Sequence, residues 1–257
     1  MNKELYESML AAKQTGKKKF VVLIDPDKVR LNNMDKIIQL ASEAKVDYFF
    51  IGGSLIVNDM LDYCLQGIQE RCNIPMILFP GNSFQLSYKA NAILFLSLIS
   101  GRNADLLIGH HVISAPFLKM SNLEIIPTGY MLIDGGVPTT VQYMSNTTPI
   151  PANKDDIAVC TAMAGEMLGL KVMYMDAGSG AQNPISTSMI ENVSSAINIP
   201  LIVGGGINTP EKAQANAAAG ANVIVVGNAI EKHPDLIKEM ADAVHSLNSS
   251  EAPAVSY

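Results

Sequence analysis

Eight short apolar runs recur along the chain, and each is stopped by a turn of Gly, Pro, Asp, Asn or Ser. In order they are Phe20–Ile24, Asp47–Ile51, Pro75–Phe79, Ala92–Leu98, Leu123–Ile133, Leu170–Met175, Pro200–Val203 and Asn222–Val226. Runs this short read as strands, and a strand that is apolar without alternation is buried on both faces. The intervening segments supply the helices that would cover them. Met34, Ile37, Ile38, Ala41 and Ala44 fall at helical spacing, as do Leu5, Met9 and Ala12 before the first run. Further helices are read at Met60–Ile68, His110–Met120, Asp155–Leu168, Ile185–Ala196, Pro210–Ala219 and Pro234–Leu247. No linker divides the series. Eight alternating βα units in 257 residues specify a single (β/α)8 TIM-type barrel over residues 1–257. A doubly wound open sheet is the competing arrangement.

The middle of the chain is the least regular. Ser83–Lys89 reads as an irregular segment in place of a helix after strand three. Pro116 limits or kinks its helix, and Pro127-Thr128-Gly129 interrupts the fifth run. Asp134–Asn153 is rich in Gly, Pro, Thr and Asn, and residues 248–257 read as a polar, frayed tail.

Composition serves mainly to exclude. A chain 48% apolar and 16% charged suits a large core, and a net charge of −6 argues against a nucleic-acid partner. Cys64, Cys72 and Cys160 form no metal-spaced pair and read as buried thiols in a reducing compartment. Met1–Lys19 lacks the apolar core of a signal peptide, and no apolar run reaches the ~18 residues that span a bilayer. A cytoplasmic protein is expected, touching membranes only transiently, through a greasy substrate or product or a surface patch. Lys17-Lys18-Lys19 reads as a solvated loop below the barrel, and His110 and His111 as surface or core residues rather than ligands.

In a barrel, residues just after each strand gather at one open face, which holds the active site. Here they are Asp25, Ser54, Asn82, Arg102, Gly129-Tyr130, Asp176 with Gly178–Gly180, Gly204–Gly206 and Gly227-Asn228. Three of these ends are glycine loops. Glycines let the backbone approach a phosphate and aim several N–H groups at it. Thr209-Pro210 is a helix start nearby, and Asn228–Glu231 suits the short extra helix of phosphate-binding barrels. Phosphate binding is therefore expected. Asp25 can be an acid or base, a Mg2+ ligand or a turn cap. Ser54 can add a hydroxyl ligand or cap the following helix. Asp176 would repel a phosphate on its own loop unless aimed elsewhere. Beside a phosphorylated alcohol it suits the hydroxyl group, as acceptor and general base; a structural turn is the alternative.

The chain at this point resembles the geranylgeranylglyceryl phosphate synthases and their bacterial relatives. The resemblance runs through Leu23–Lys28, Ile51–Ser54, Phe79–Asn82, Pro127–Tyr130, Tyr174–Gly180, Val203–Ile207 and Val226–Asn228. It implies a prenyltransferase on a modified barrel, in which the C3 hydroxyl of sn-glycerol 1-phosphate attacks C1 of an allylic polyprenyl diphosphate. It implies Mg2+ held by Asp25 and Ser54. It also implies glycerol-phosphate binding by Tyr174, Met175, Asp176, Ala177, Gly178, Ser179, Gly180, Gly205, Gly206, Gly227 and Asn228, and a homo-oligomer. Asp25 and Asp176 are the expected catalytic residues. Many members carry Glu where this chain has Asp176, one methylene longer. Two other readings compete: a sugar-phosphate aldolase or isomerase, and a non-catalytic sensor of a phosphorylated ligand.

Overall fold

A computed structural model describes residues 4–27, 31–55, 57, 58 and 60–248. The expected turn residue Lys28 and the tail from residue 249 lie outside the described residues.

The chain opens with α1 (Glu4–Thr15) and β1 (Lys19–Ile24), followed by α2 (Leu31–Glu43), β2 (Tyr48–Ile51), α3 (Leu61–Gln69), β3 (Met76–Leu78) and β4 (Ala92–Leu98). A π-helical turn, Asp105–Gly109, runs into α4 (His110–Met120), then β5 (Glu124–Leu132), α5 (Thr140–Ser145) and α6 (Asp155–Met167). The last units are β6 (Val172–Asp176), α7 (Thr187–Ala196), β7 (Leu201–Gly204), α8 (Pro210–Ala218), β8 (Val223–Val226), α9 (Asn228–Lys232) and α10 (Leu236–His245). The strands pair in sequence order, and β8 closes on β1, making a parallel eight-stranded barrel.

Two apolar layers hold it. Alternate side chains of each strand point inward, where Val21, Phe50, Ile77, Leu94, Tyr130, Tyr174, Ile202 and Val225 fill the barrel. Their neighbours point outward and pack beneath the helices, as Val22, Phe49, Met173, Met175 and Val203 do. Burying each such side chain contributes ~1.5–3 kcal/mol, which explains why the strands read as continuous apolar runs. Below, α1 sets Met9 into the inner layer. The carboxylate of Glu124 accepts from the N–H groups of Leu5 and Tyr6, at 2.9 and 2.8 Å, and so pins the start of α1.

Several expectations change. The fifth strand is continuous through Pro127. Pro127 costs one ladder donor, but its carbonyl accepts from Lys171 N–H at 2.8 Å, and the Thr128 hydroxyl donates back to Ile126 O at 2.8 Å. The glycine- and threonine-rich segment contains a helix, α5. Lys18 and Lys19 are not a free solvated run: Lys18 Nζ donates to Ala221 O at 3.1 Å, and Lys19 pairs with Asp47 at 3.1 Å. Cys160 is exposed rather than buried, whereas burial of Cys64 pushes its thiol up to about 12. Thr209 caps α8 as expected, with Pro210 in its first turn. Among the described residues, no helix is long and apolar enough to cross a membrane.

Candidate active site

Strand parity builds the mouth of the barrel. On β6, Val172 and Tyr174 face the interior while Met173 and Met175 face the helices. Asp176, two residues beyond Tyr174, therefore takes the inward position at the strand's end. By the same parity Asp25 follows Leu23, Gly204 follows Ile202 and Gly227 follows Val225. Glycines at these ends leave space that side chains would fill. The result is a cleft of about 590 Å3 whose walls include Asp25, Ser54, Phe79, Tyr174, Asp176, Gly178–Gly180, Gly205, Gly206, Gly227 and Asn228.

The three glycine loops form one surface. Ala177 N–H donates to Gly204 O at 3.1 Å, and the Ser179 hydroxyl donates to Asn228 Oδ1 at 3.1 Å. Gly205 has φ +82°, and a Cβ there would lie 2.6 Å from both Ala177 N and Asp176 Oδ1. No L side chain satisfies both constraints, so only glycine lets these loops interlock. The N–H groups of Ser179, Gly180, Gly205 and Gly206 donate to no acceptor among the described residues. An oxyanion in the cleft can take them.

Across the mouth, the β1 and β2 ends bring Asp25 and Ser54 into the same wall. Asp25 is 7% exposed, and its Oδ1 accepts from Asp27 N–H at 3.1 Å. A Cβ on Gly53 would come within 3.1 Å of Asp25 Oδ2, so the missing side chain leaves the carboxylate its place beside Ser54. Ser54 does not cap the next helix, which begins at Leu61 after Met60. Among the described residues, no group of three or more His, Cys, Asp or Glu converges on a metal position. One carboxylate with a hydroxyl could hold Mg2+ if phosphate oxygens and water supplied the remaining ligands.

Asp176 is not turned wholly away from the phosphate-type loops: one carboxylate oxygen is tied into them and the other points to the neighbouring strand β5. Its Oδ2 accepts from the Tyr130 hydroxyl at 2.6 Å, and its Oδ1 from Gly178 N–H at 2.8 Å. Burial raises its carboxyl above the ordinary range, while these two bonds pull it back. Burial and the Asp176 charge hold the phenols of Tyr130 and Tyr174 well above their usual value, so both stay protonated. A buried carboxylate with a raised pKa is a better proton acceptor than one in water.

A second cavity, about 230 Å3 and mostly apolar, leads from the cleft between β3, β4 and α4. Leu86, Ile93, Phe95, Leu106, Val141 and Met144 are among its walls, and Gly53, Ser54 and Phe79 line both cavities. It exists because no helix follows β3. Gln85 ties that loose segment down instead: its Oε1 accepts from Gly53 and Gly81 N–H at 3.3 and 3.1 Å, and its Nε2 donates to Gly53 O at 2.8 Å. His110 and His111 also line the trough. His111 stands edge-on to Phe95, its ring centroids 4.4 Å apart, and burial lowers its pKa.

Of the residues expected to bind substrate, the structure brings Tyr174, Asp176, Gly178, Ser179, Gly180, Gly205, Gly206, Gly227 and Asn228 to the cleft. Met175 points outward into the helical layer, and Ala177 is buried with its N–H committed to Gly204. The tie from Tyr130 to Asp176 and the trough walls carried no assigned role in the sequence. Parity along β5, which sets Tyr130 beside Tyr174, is the signal that could have found the first.

Residues 13–246 match the PcrB family. The geranylgeranylglyceryl phosphate synthase of Chitinophaga pinensis is 59% identical, over 96% of this chain and 98% of its own length. That of Spirosoma linguale is 52% identical, over 93% of this chain and 96% of its own. Among solved structures, (S)-3-O-geranylgeranylglyceryl phosphate synthase from Thermoplasma acidophilum, in complex with the substrate sn-glycerol-1-phosphate, superposes with a TM-score of 0.89 at 31% identity, covering 94% of this chain and 98% of that one.

Proposed function

The chain belongs to the PcrB family, and from that premise we propose that it is a prenyltransferase joining the C3 hydroxyl of sn-glycerol 1-phosphate to an allylic polyprenyl diphosphate of the geranylgeranyl type. The observation that carries this reading is the junction at Gly53, Ser54 and Phe79, where a phosphate-type cleft meets an apolar trough. An isoprenoid tail fits the trough, its diphosphate fits the junction, and glycerol phosphate fits the glycine loops. Neither a sugar-phosphate enzyme nor a sensor needs the trough. Lys19, the lysine that enters β1, stands at the end opposite the mouth, where a Schiff base could not serve it.

The chain's own residues then divide the work. The N–H groups of Ser179, Gly180, Gly205 and Gly206 hold the glycerol phosphate. Tyr174 and Asp176 position its hydroxyl. The C3 oxygen bonds to C1 as the C1–O bond to diphosphate breaks, and the hydroxyl proton passes to Asp176. Asp25 and Ser54 would hold Mg2+, which supplies Lewis-acid neutralisation of the charge on the leaving diphosphate. The apolar trough walls keep water from the allylic carbon.

Incubation with sn-glycerol 1-phosphate and prenyl diphosphates of graded length, with and without Mg2+, tests this. Ether product that depends on Mg2+ supports it, and no ether at any length overturns it. A cytoplasmic homo-oligomer completes the proposal. Light scattering of the purified protein should give a mass above the 27.5 kDa of one chain.

A further inference from the structure

We propose that Tyr130 is a positioning residue for the reaction, its hydroxyl fixing the Asp176 carboxylate where the trough meets the cleft. This rests on the general-base reading of Asp176. Tyr130 lines the trough while Asp176 lines the cleft, and a 2.6 Å hydrogen bond joins them. That distance is in the range of a hydroxyl bonded to a charged carboxylate.

The two ends of the carboxylate are held from different sides. Gly178 N–H holds Oδ1 toward the phosphate-type loops, and Tyr130 holds Oδ2 toward the trough. The glycerol hydroxyl must meet the allylic carbon where trough and cleft join, which is the Oδ2 side. One lone pair of Oδ2 accepts the Tyr130 hydrogen bond, and the other remains to receive the substrate's proton. Tyr130 itself has little freedom. It pairs with Leu98 and Tyr174 in neighbouring strands, and its ring lies 6.0 Å from Phe79 and 5.5 Å from Tyr174. A side chain with only two torsions, held by its neighbours, can hold another.

The groups that face Asp176 are few. Tyr130 comes from β5 and Tyr174 from β6, while Gly204 at the end of β7 and Gly205 just after it bring no titratable group. Asp25, Glu231, Lys232 and His233 share the cleft wall. Tyr130 donates the short bond, so its loss should raise the carboxyl further.

Tyr130→Phe deletes the hydroxyl and keeps the ring. The carboxyl titration of Asp176, followed by 13C NMR and assigned with Asp176→Asn, should move upward, and the acidic limb of kcat/KM should move with it. Above that limb kcat should stay depressed ~10–100-fold, less than the ~10²–10⁴-fold that loss of the general base itself would cost. Calorimetric affinity for sn-glycerol 1-phosphate should remain within about twofold, since the hydroxyl does not face the phosphate loops. An unmoved titration, or a wild-type kcat, overturns the inference. Should the phenylalanine variant not fold, 3-fluorotyrosine at position 130 keeps the hydroxyl as a stronger donor. It should move the titration down, and an unmoved or raised titration overturns the inference equally. An acidic limb that persists in Asp176→Asn would instead sink the base reading. The NMR titration still decides whether Tyr130 holds Asp176.

Discussion

Gly205→Ala should disable the phosphate-type surface by prising two loops apart. Gly205 sits at φ +82°, and an added methyl would lie 2.6 Å from Ala177 N and from Asp176 Oδ1. The left-handed backbone alone costs about 1–2 kcal/mol for an L residue. A Cβ has no torsion through which to escape, so the overlap is relieved only when the loop at 204–206 withdraws from 176–178. That withdrawal breaks the 3.1 Å bond from Ala177 N–H to Gly204 O and removes the N–H groups of Gly205 and Gly206 from the cleft. Two hydrogen bonds to a charged phosphate are worth about 3–6 kcal/mol together, or a ~10²–10⁴-fold rise in Kd. Calorimetry with sn-glycerol 1-phosphate reads that loss. Thermal unfolding reads the strain, at about 2–4 °C per kcal/mol for a chain of this size. Gly169→Ala is the control: its φ is +90°, nothing lies within 4 Å of the added methyl, and it precedes β6 at the barrel's other end. It should lower Tm while leaving affinity intact. Wild-type affinity in Gly205→Ala, or an equal loss in Gly169→Ala, would refute the reasoning.

Three further outcomes are expected. Asp25→Asn should abolish prenyl transfer while calorimetric affinity for glycerol phosphate survives, and added Mg2+ should restore EDTA-treated wild type but not the variant; full turnover would remove the metal role. Ser114→Phe, at a buried position on the trough wall, should cut kcat/KM for a geranylgeranyl donor by ~10-fold or more without changing glycerol-phosphate affinity, and an unchanged steady-state rate would mean that the tail lies elsewhere. Asp176→Asn should lose turnover yet gain stability. The folded carboxyl titrates above its ordinary value of 3.8, so the fold binds the proton more tightly than the unfolded chain does. This group's contribution to stability is therefore fully present below 3.8 and is lost as pH rises through the folded pKa. At neutral pH the uncharged side chain removes that penalty, and Tm should exceed wild type; a lower Tm would contradict the burial argument.

Much of this was legible because a barrel converts sequence parity into geometry. Once the apolar runs are strands, Asp25, Asp176, Gly204 and Gly227 must meet at one end. The glycine loops announce their chemistry by composition. The continuous fifth strand was hidden because Pro127 ordinarily ends a central strand; a hydroxyl from Thr128 and the Lys171 donor compensate, and neither is a local pattern. The trough was hidden for a different reason. Its walls come from segments as far apart as Gly53 and Ser145, and it opens where a helix is absent. The clamp at Gln85 that holds the opening is a single buried amide, which no periodicity marks.

The bond made and the bond broken decide the central claim. With sn-glycerol 1-phosphate carrying ¹⁸O at its C3 hydroxyl, mass spectrometry of the product formed with geranylgeranyl diphosphate and Mg2+ should find the label in the ether and unlabelled diphosphate released. No ether, or an ether without the label, would contradict attack by the C3 oxygen on C1.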